Sequence, residues 1–324
     1  MCSRLGIHVL FAIASALAAY GGQQPTFSID VNVVNVYATV RDRSGELVTD
    51  LGEEEFVLEE DGEAQEIEYF SRQADVPLTL GLLVDTSVSQ RRIINRQRRA
   101  SAQFLRQVLR PMSDRAFVIK FDFEIELLQD VTGSPRDLRY AINDLRAPRF
   151  GARVSRPRRV PPRGGAIGTS MYDAVYLASG EIMQNLEGRK ALILISDGVD
   201  MGSLTALDTA IEFAQRADSI VYSIRYYDPY GYFRAARGLF GGGPGKKGSK
   251  TLRRLARQTG GRAFEVNEDL TLEQIFDAIQ RDLRSQYSIG YTSEPGDYEF
   301  RKIKLRTKRK GLTVQTRAGY YPKN

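Results

Sequence analysis

Residues 78–89 read Leu-Thr-Leu-Gly-Leu-Leu-Val-Asp-Thr-Ser-Val-Ser, and this pattern indicates the class of fold. Residues 78–84 carry no charge and are mostly apolar, which is typical of a strand buried on both faces of a sheet. The apolar run stops at Asp85, and Ser87 and Ser89 follow at alternating positions. Open parallel sheets bind ligands at this end of their strands. We therefore expect three oxygen atoms on one side of a loop, a set that suits Mg²⁺ or Ca²⁺.

The whole chain has the composition of an ordinary soluble protein of about two domains, with 324 residues, 42% of them hydrophobic and 27% charged. Residues 1–20 are different, because Arg4 precedes an apolar stretch that contains small residues at Ala-x-Ala spacing. This pattern predicts a secretory signal peptide, and the stretch is short for a spanning helix. We therefore expect a secreted or periplasmic protein with no transmembrane segment after signal cleavage.

The usage of Cys and His excludes several classes of enzyme. The single Cys is Cys2 and the single His is His8, and both lie within the predicted signal peptide. The predicted mature chain therefore has neither a thiol nor an imidazole, which excludes Ser-His-Asp and Cys-His catalysis and His-ligated zinc. The net charge of +6 is a mild basic excess. It favours acidic partners without requiring nucleic acid, and we expect none to be bound.

The arrangement of strand and helix patterns predicts three regions. In residues 76–286, apolar strands alternate with helical patterns, which indicates a doubly wound, mainly parallel α/β sheet. Residues 26–75 and 287–324 instead contain short alternating strands. Neither flank has enough strands for a stable pair of sheets, so we expect the two flanks to share one β-sandwich into which the α/β domain is inserted.

Local signals within these regions predict turns and helix ends. Asp61-Gly62 and Ser44-Gly45 are typical of hairpin turns. The alternation of apolar residues changes phase at residues 33–34, which predicts a bulge or a crossing between sheets there. Ser134 before Pro135 predicts the start of a helix, and Thr271 with Gln274 predicts a capping box. A single helix is expected over residues 170–185.

Two further loops are expected at the same edge of the sheet as the loop that begins at Asp85. Thr169 precedes the helix predicted from residue 170, and Asp197 follows the apolar strand predicted over residues 190–195. Asp197 thus stands at the carboxyl end of a strand, as Asp85 does. Three loops at one edge of a sheet can converge on one cation.

The order and spacing of these residues resemble a known site. Asp85-x-Ser87-x-Ser89, then Thr169, then Asp197 in Ser-Asp-Gly, are similar to the metal-ion-dependent adhesion site of von Willebrand factor type A domains. Residues 252–264 resemble a segment late in such domains. Residues 40–51 and 56–62, with the Ile289-Gly-Tyr and Arg317-Ala-Gly-Tyr segments, resemble the secreted members abundant in Acidobacteria.

The resemblance implies a function and a set of ligands. Ser87, Ser89 and Thr169 would bind Mg²⁺, or alternatively Mn²⁺ or Ca²⁺, directly or through water, and Asp85 and Asp197 would act largely through water. One exchangeable position would accept an Asp or Glu side chain from a protein partner. The implied function is adhesion or binding and not catalysis. Arg91 and Arg92 stand where integrin-type domains often have two acidic residues, so we expect no second ion beside the first.

A basic segment leaves other interpretations open. Residues 146–163 contain seven Arg and four Pro and no acid, which is typical of a solvated loop but also of a surface that steers acidic partners. The residues proposed for this partner-binding rim are Arg153, Arg156, Arg158, Arg159 and Tyr230. Two alternative functions remain, a Mg²⁺-dependent hydrolase of phosphate esters and a binder of anions or nucleic acid through the basic segment.

Overall fold

A computed structural model describes residues 32–72, 76–147, 169–227, 246–294 and 298–322. The predicted signal peptide lies outside the described residues, as do the five residues of the proposed rim. The described residues belong to one compact unit. Across the described ranges, no helix has the length and apolar character needed to cross a membrane.

The strands belong to one mainly parallel sheet and two antiparallel sheets, and they are numbered here in chain order. They are β1 (Asn32–Arg41), β2 (Phe56–Glu60), β3 (Glu63–Gln65), β4 (Tyr69–Ser71), β5 (Leu78–Asp85), β6 (Arg115–Phe121), β7 (Ile125–Thr132), β8 (Arg189–Ser196), β9 (Ser219–Arg225), β10 (Ala263–Glu265), β11 (Tyr287–Ser293), β12 (Arg301–Thr307), β13 (Thr313–Gln315) and β14 (Gly319–Tyr320).

The central sheet has six strands in the order β10-β9-β8-β5-β6-β7. All neighbouring pairs are parallel except β6 and β7. Every residue of β5 and of β8 is buried, as the continuous apolar runs predict for strands covered on both faces.

Helices cover both faces of this sheet. They are α1 (Ile94–Val108), α2 (Pro135–Asn143), α3 (Met171–Leu177), α4 (Leu207–Arg216), α5 (Lys246–Thr259) and α6 (Leu272–Arg284). Leu80, Leu82 and Val84 of β5 pack in one core with α1, α2 and α6. Leu83 points to the opposite face and packs in a second core with α3, α4 and α5. The alternation of side chains along β5 thus divides the helices into two layers.

The flanks form two antiparallel sheets, with strand orders β13-β1-β11-β4 and β14-β12-β2-β3. Each sheet combines strands from before and after the central α/β region. Their inward side chains form a third core, in which Val36 and Leu58 from one flank meet Ile289 and Leu305 from the other. The predicted fold class, a doubly wound sheet inserted in a sandwich built from both flanks, is confirmed.

Most local signals are confirmed as well. Asp61 and Gly62 both have positive φ, at 50° and 97°, as the tight turn between β2 and β3 requires. Ser134 Oγ accepts a hydrogen bond from Asp137 N at 3.3 Å. Thr271 and Gln274 form the reciprocal capping box. These features depend on neighbouring residues only, so the sequence pattern suffices to predict them.

Two local predictions were wrong. β1 pairs with β11 without a shift in register from Asn32 opposite Ser293 to Ala38 opposite Tyr287, so there is neither a bulge nor a crossing at residues 33–34. Val33 is instead left partly exposed and Val34 faces the core. The helix predicted over residues 170–185 is regular only in α3, and it continues as a π-turn (Ala178–Ile182) and a 3₁₀ turn (Met183–Asn185). At Gly180 in this π-turn an added Cβ would lie 2.8 Å from Phe213 Cδ1, so the backbone approaches that ring closely.

Candidate metal centre

The two predicted carboxylates lie side by side because their strands are neighbours. β5 and β8 are parallel, and Val84 pairs with Ile195. Asp85 ends β5, and Asp197 directly follows β8. Both side chains are buried at the carboxyl edge of the sheet, with Asp85 0% and Asp197 3% exposed.

Hydrogen bonds join the carboxylates and the two serines in one cluster. Asp85 Oδ1 accepts from Ser87 N at 2.9 Å, and Asp85 Oδ2 accepts from Ser196 Oγ at 2.8 Å. Ser87 Oγ and Ser89 Oγ lie 3.0 Å apart, within hydrogen-bonding distance. Ser89 Oγ donates to Asp197 Oδ2 at 3.0 Å. The structure therefore brings Asp85, Ser87, Ser89 and Asp197 together.

Thr169 reaches the same edge through its backbone. The next residue, Ser170, donates its N–H to the carbonyl of Asp122 at 2.6 Å, just beyond the end of β6. The Thr169 carbonyl accepts from the N–H groups of Met201 and Gly202, both at 3.1 Å, in the loop that follows Asp197. Thr169 is thus held between the loops that follow β6 and β8, and its side chain is largely buried.

The electrostatics of the cluster favour a cation. Burial raises the pKa of Asp85 to about 7, and the charge of Asp197 adds to this rise. Burial also raises the pKa of Asp197, against the lowering effects of its hydrogen bonds and of Arg225. Two buried carboxylates at one point repel each other, and an opposite charge between them would remove that penalty.

The donor chemistry fits a hard divalent ion. Carboxylate and hydroxyl oxygens are the ligands that Mg²⁺ and Ca²⁺ accept, with water in the remaining positions. Across the described ranges, no group of three or more His, Cys, Asp or Glu side chains is placed to hold a metal ion. A cation at this edge would therefore depend on Ser87, Ser89, Thr169 and water as well as on the two carboxylates.

Asp200 connects two loops at this edge, and no sequence pattern predicted this role. Its Oδ1 accepts from Met171 N at 2.8 Å and from Tyr172 N at 3.2 Å, at the start of α3. Asp173 of α3 accepts in return from Leu204 N at 2.9 Å and from Thr205 N at 2.8 Å. This exchange joins the Thr169 loop to the Asp197 loop. The sequence contains a short capping pattern at this point, Asp200-x-x-Ser203, but such a pattern does not reveal which helix is capped.

Substitution of Asp200 by Ala is expected to reduce the cation-dependent rise in melting temperature, because the Thr169 loop loses one of its attachments to the Asp197 loop. The loss of a capping carboxylate costs about 1 kcal/mol of stability by itself. Ser134→Ala is the matched control, since it removes a cap of similar strength from α2. Thermal unfolding of both variants with and without Mg²⁺ separates the two effects. An equal rise in melting temperature with Mg²⁺ in both variants would show that Asp200 does not position the site.

Solved structures similar to this chain are known. No protein-family model and no curated protein matches the chain. Among solved structures, BatB from Bacteroides thetaiotaomicron is 15% identical with a TM-score of 0.42, and the match covers 64% of this chain and 97% of that one. The vWF domain of the type V pili tip protein Mfa5 from Porphyromonas gingivalis is 14% identical with a TM-score of 0.45, covering 64% and 95%.

A third solved structure was determined with a metal ion. It is proximal thread matrix protein 1 from the mussel byssus with a zinc-occupied MIDAS motif, which is 12% identical with a TM-score of 0.42 and is matched over 66% of this chain and 48% of that one. At this level of similarity none of the three indicates what this chain binds.

Proposed function

We propose that this protein is an exported binding module that engages a carboxylate of an acidic protein partner through a divalent cation at the carboxyl edge of the central sheet. The observation that carries the proposal is the pair of buried carboxylates, Asp85 and Asp197, joined through Ser87 and Ser89 at the ends of adjacent strands. The resemblance to the adhesion site of von Willebrand factor type A domains supports it.

Asp85, Ser87, Ser89, Thr169 and Asp197 would hold the cation, for which we propose Mg²⁺, with Mn²⁺ and Ca²⁺ as alternatives. When bound, such an ion supplies an electropositive centre that accepts an oxygen ligand. The protein residues would hold that centre in a rigid position, because both aspartates are buried and each carboxylate oxygen already accepts a hydrogen bond.

The role of the two aspartates at the proposed cation favours binding over hydrolysis. A hydrolase that used this site would need a base that can accept a proton from water. Both oxygens of Asp85 accept hydrogen bonds from Ser87 N and Ser196 Oγ, and those of Asp197 accept from Val199 N and Ser89 Oγ. In the proposed site both carboxylates also serve the cation, so neither is left to act as a base toward water, and we propose a module without enzymatic activity.

Two parts of the proposal depend on residues outside the described ranges. Export to the periplasm or the exterior depends on the signal peptide predicted over residues 1–20. Steering of an acidic partner depends on the rim of Arg153, Arg156, Arg158, Arg159 and Tyr230. Both remain predictions from the sequence.

The proposed function is tested with the immobilised mature protein and a cell-envelope extract of its source. A specific partner is expected to be retained in Mg²⁺, released by a chelator and released by free glutamate, because a carboxylate would compete for the cation. The Asp197→Asn variant should retain none of this partner. Asp208→Asn, an exposed change on α4, is the control and should behave as wild type. Retention that survives both the chelator and Asp197→Asn would contradict the proposal, and Mg²⁺-dependent hydrolysis of p-nitrophenyl phosphate would support the hydrolase instead.

A further inference from the structure

The face between the end of α1 and the start of α2 carries a cavity of about 590 Å³. It lies beside Asp114, immediately before β6, and Gly133, immediately after β7. β5 and β6 are parallel, so this is the edge of the sheet opposite to the one that carries Asp85. The cavity is within the size range of small-molecule sites. It is separate from the candidate metal centre.

The base of this cavity is apolar. Leu105 of α1 and Leu138 and Ile142 of α2 contribute to its wall and are buried in the core below. Leu109 and Pro111 continue the apolar lining along the segment that follows α1. Such a surface gains free energy when an apolar chain displaces water from it.

Its rim is cationic. Arg106, Arg136 and Arg139 line the cavity, are exposed, and form no ion pair within the described ranges. Asp114 also lines the cavity, but its carboxylate already accepts hydrogen bonds from Leu78 N, from the backbone and side chain of Arg110 and from the side chain of Arg284. The three arginines therefore have charge and hydrogen-bond donors available for an anionic group.

Met112 is the third unusual feature of this cavity. It lines the opening, its side chain is fully exposed, and its φ is 66°, in the left-handed region that residues other than Gly rarely adopt. Strained backbone of this kind is concentrated at functional sites. A flexible thioether beside an apolar cavity can adapt its shape to a bound chain.

We infer that this cavity binds a small single-chain amphipathic anion, whose apolar tail lies on the Leu105–Leu138–Ile142 surface and whose phosphate or carboxylate head lies against Arg106, Arg136 and Arg139. Guanidinium groups bind such heads through paired hydrogen bonds. The basic segment of this same chain, residues 146–163, is an unfavourable occupant because it carries seven Arg and no acid.

The test measures binding of decyl phosphate, below its micelle concentration, to the mature protein by isothermal titration calorimetry. One equivalent is expected to bind. Decyl maltoside, which lacks the charge, and inorganic phosphate, which lacks the tail, should each bind at least about tenfold more weakly, since each removes contacts worth more than the 1.4 kcal/mol that corresponds to a factor of ten.

Variants then locate the site. Arg106→Gln/Arg139→Gln is expected to weaken decyl phosphate binding about tenfold or more, since each charge-assisted hydrogen bond contributes more than a neutral one. Arg253→Gln/Arg257→Gln on α5 removes the same charge from exposed positions elsewhere and should leave binding unchanged. Met112→Gly should weaken binding while the melting temperature stays equal or rises, because Gly tolerates a positive φ.

Four outcomes would overturn the inference. The first is that decyl phosphate does not bind to the wild type, and the second is that the Arg106→Gln/Arg139→Gln and Arg253→Gln/Arg257→Gln variants lose equal affinity for it. The third is that inorganic phosphate binds as tightly as decyl phosphate. The fourth is that the protein binds anionic phospholipid vesicles but not the monomeric amphiphile. The last result would identify a membrane-surface contact and not a small-molecule site. Each measurement is made in a chelator, so the result does not depend on the proposed cation.

Discussion

Mg²⁺ is expected to raise the melting temperature of the wild-type protein, and the Asp85→Asn variant is expected to lose nearly all of this rise. A ligand that binds only the folded state stabilises it by mass action, by about 2.7 kcal/mol at a hundred times the dissociation constant. Asn has the shape of Asp and can still accept the hydrogen bond from Ser87 N, so the loop geometry is retained while the charge is removed. The measurement is thermal unfolding over a titration with Mg²⁺ and, separately, with Mn²⁺ and Ca²⁺.

The metal-free proteins provide the control for this prediction. Asp85→Asn removes one of two buried like charges, so in a chelator the variant should be at least as stable as the wild type. A loss of metal response in a variant that is equally or more stable cannot be explained by unfolding. Similar metal-dependent shifts in the wild type and the variant would show that the cation binds elsewhere, whatever the fold.

Glu60→Ala is expected to destabilise the protein by about 3 kcal/mol or more through the β-sandwich. Glu60 ends β2 and is buried, and its carboxylate accepts from the hydroxyls of Tyr291, Ser293 and Tyr320 and from Arg301. Removal of the carboxylate leaves the partly buried guanidinium of Arg301 without its ion-pair partner and the buried hydroxyls of Tyr291, Ser293 and Tyr320 without their acceptor, which is a costly change. Urea unfolding at neutral pH measures the loss.

The adjacent residue provides a matched control. Glu59 lies on the same strand but faces outward, where it pairs with Lys304 and Arg306 at the surface. Exposed ion pairs of this kind contribute little, so Glu59→Ala should change stability only slightly. Equal destabilisation by the two substitutions would show that the buried network is not the source of the effect.

The difference in stability between the wild type and Glu60→Ala should depend on pH because of the pKa of Glu60. Burial by itself would raise this pKa, but hydrogen bonds from Tyr291, Ser293, Tyr320 and Arg301 outweigh burial and lower it. A carboxyl group with a lowered pKa in the folded state contributes stability above its ordinary pKa of about 4.3, and this contribution is lost as the pH falls through the folded value. The difference in stability between wild type and Glu60→Ala should therefore shrink below about pH 4, and a difference independent of pH would contradict the assignment.

The sequence was sufficient for features that depend on a short run of neighbouring residues. The uncharged run before Asp85 predicted a strand buried on both faces, and β5 is buried throughout. The Asp61-Gly62 turn and the Thr271 capping box were predicted in the same way. Periodicity and turn chemistry act over a few residues, so they can be read without knowledge of the fold.

The convergence of Asp85 and Asp197 was also predictable, through a rule of topology. The carboxyl ends of parallel strands meet at one edge, so two polar residues that each follow an apolar strand are candidates for one site. The rule does not identify which strands are adjacent. The pairing of β5 with β8 and the 3.0 Å hydrogen bond from Ser89 to Asp197 required the folded structure.

Only the tertiary structure revealed the features built from residues far apart in the chain. Asp200 caps a helix that begins 29 positions earlier. Glu60 accepts from a tyrosine hydroxyl 231 positions away, across the two sheets of the sandwich. The cavity between α1 and α2 exists because two helices and the loops at the sheet edge meet there. Such contacts are selected by the global packing of side chains, and local patterns contain no information about which distant groups will meet.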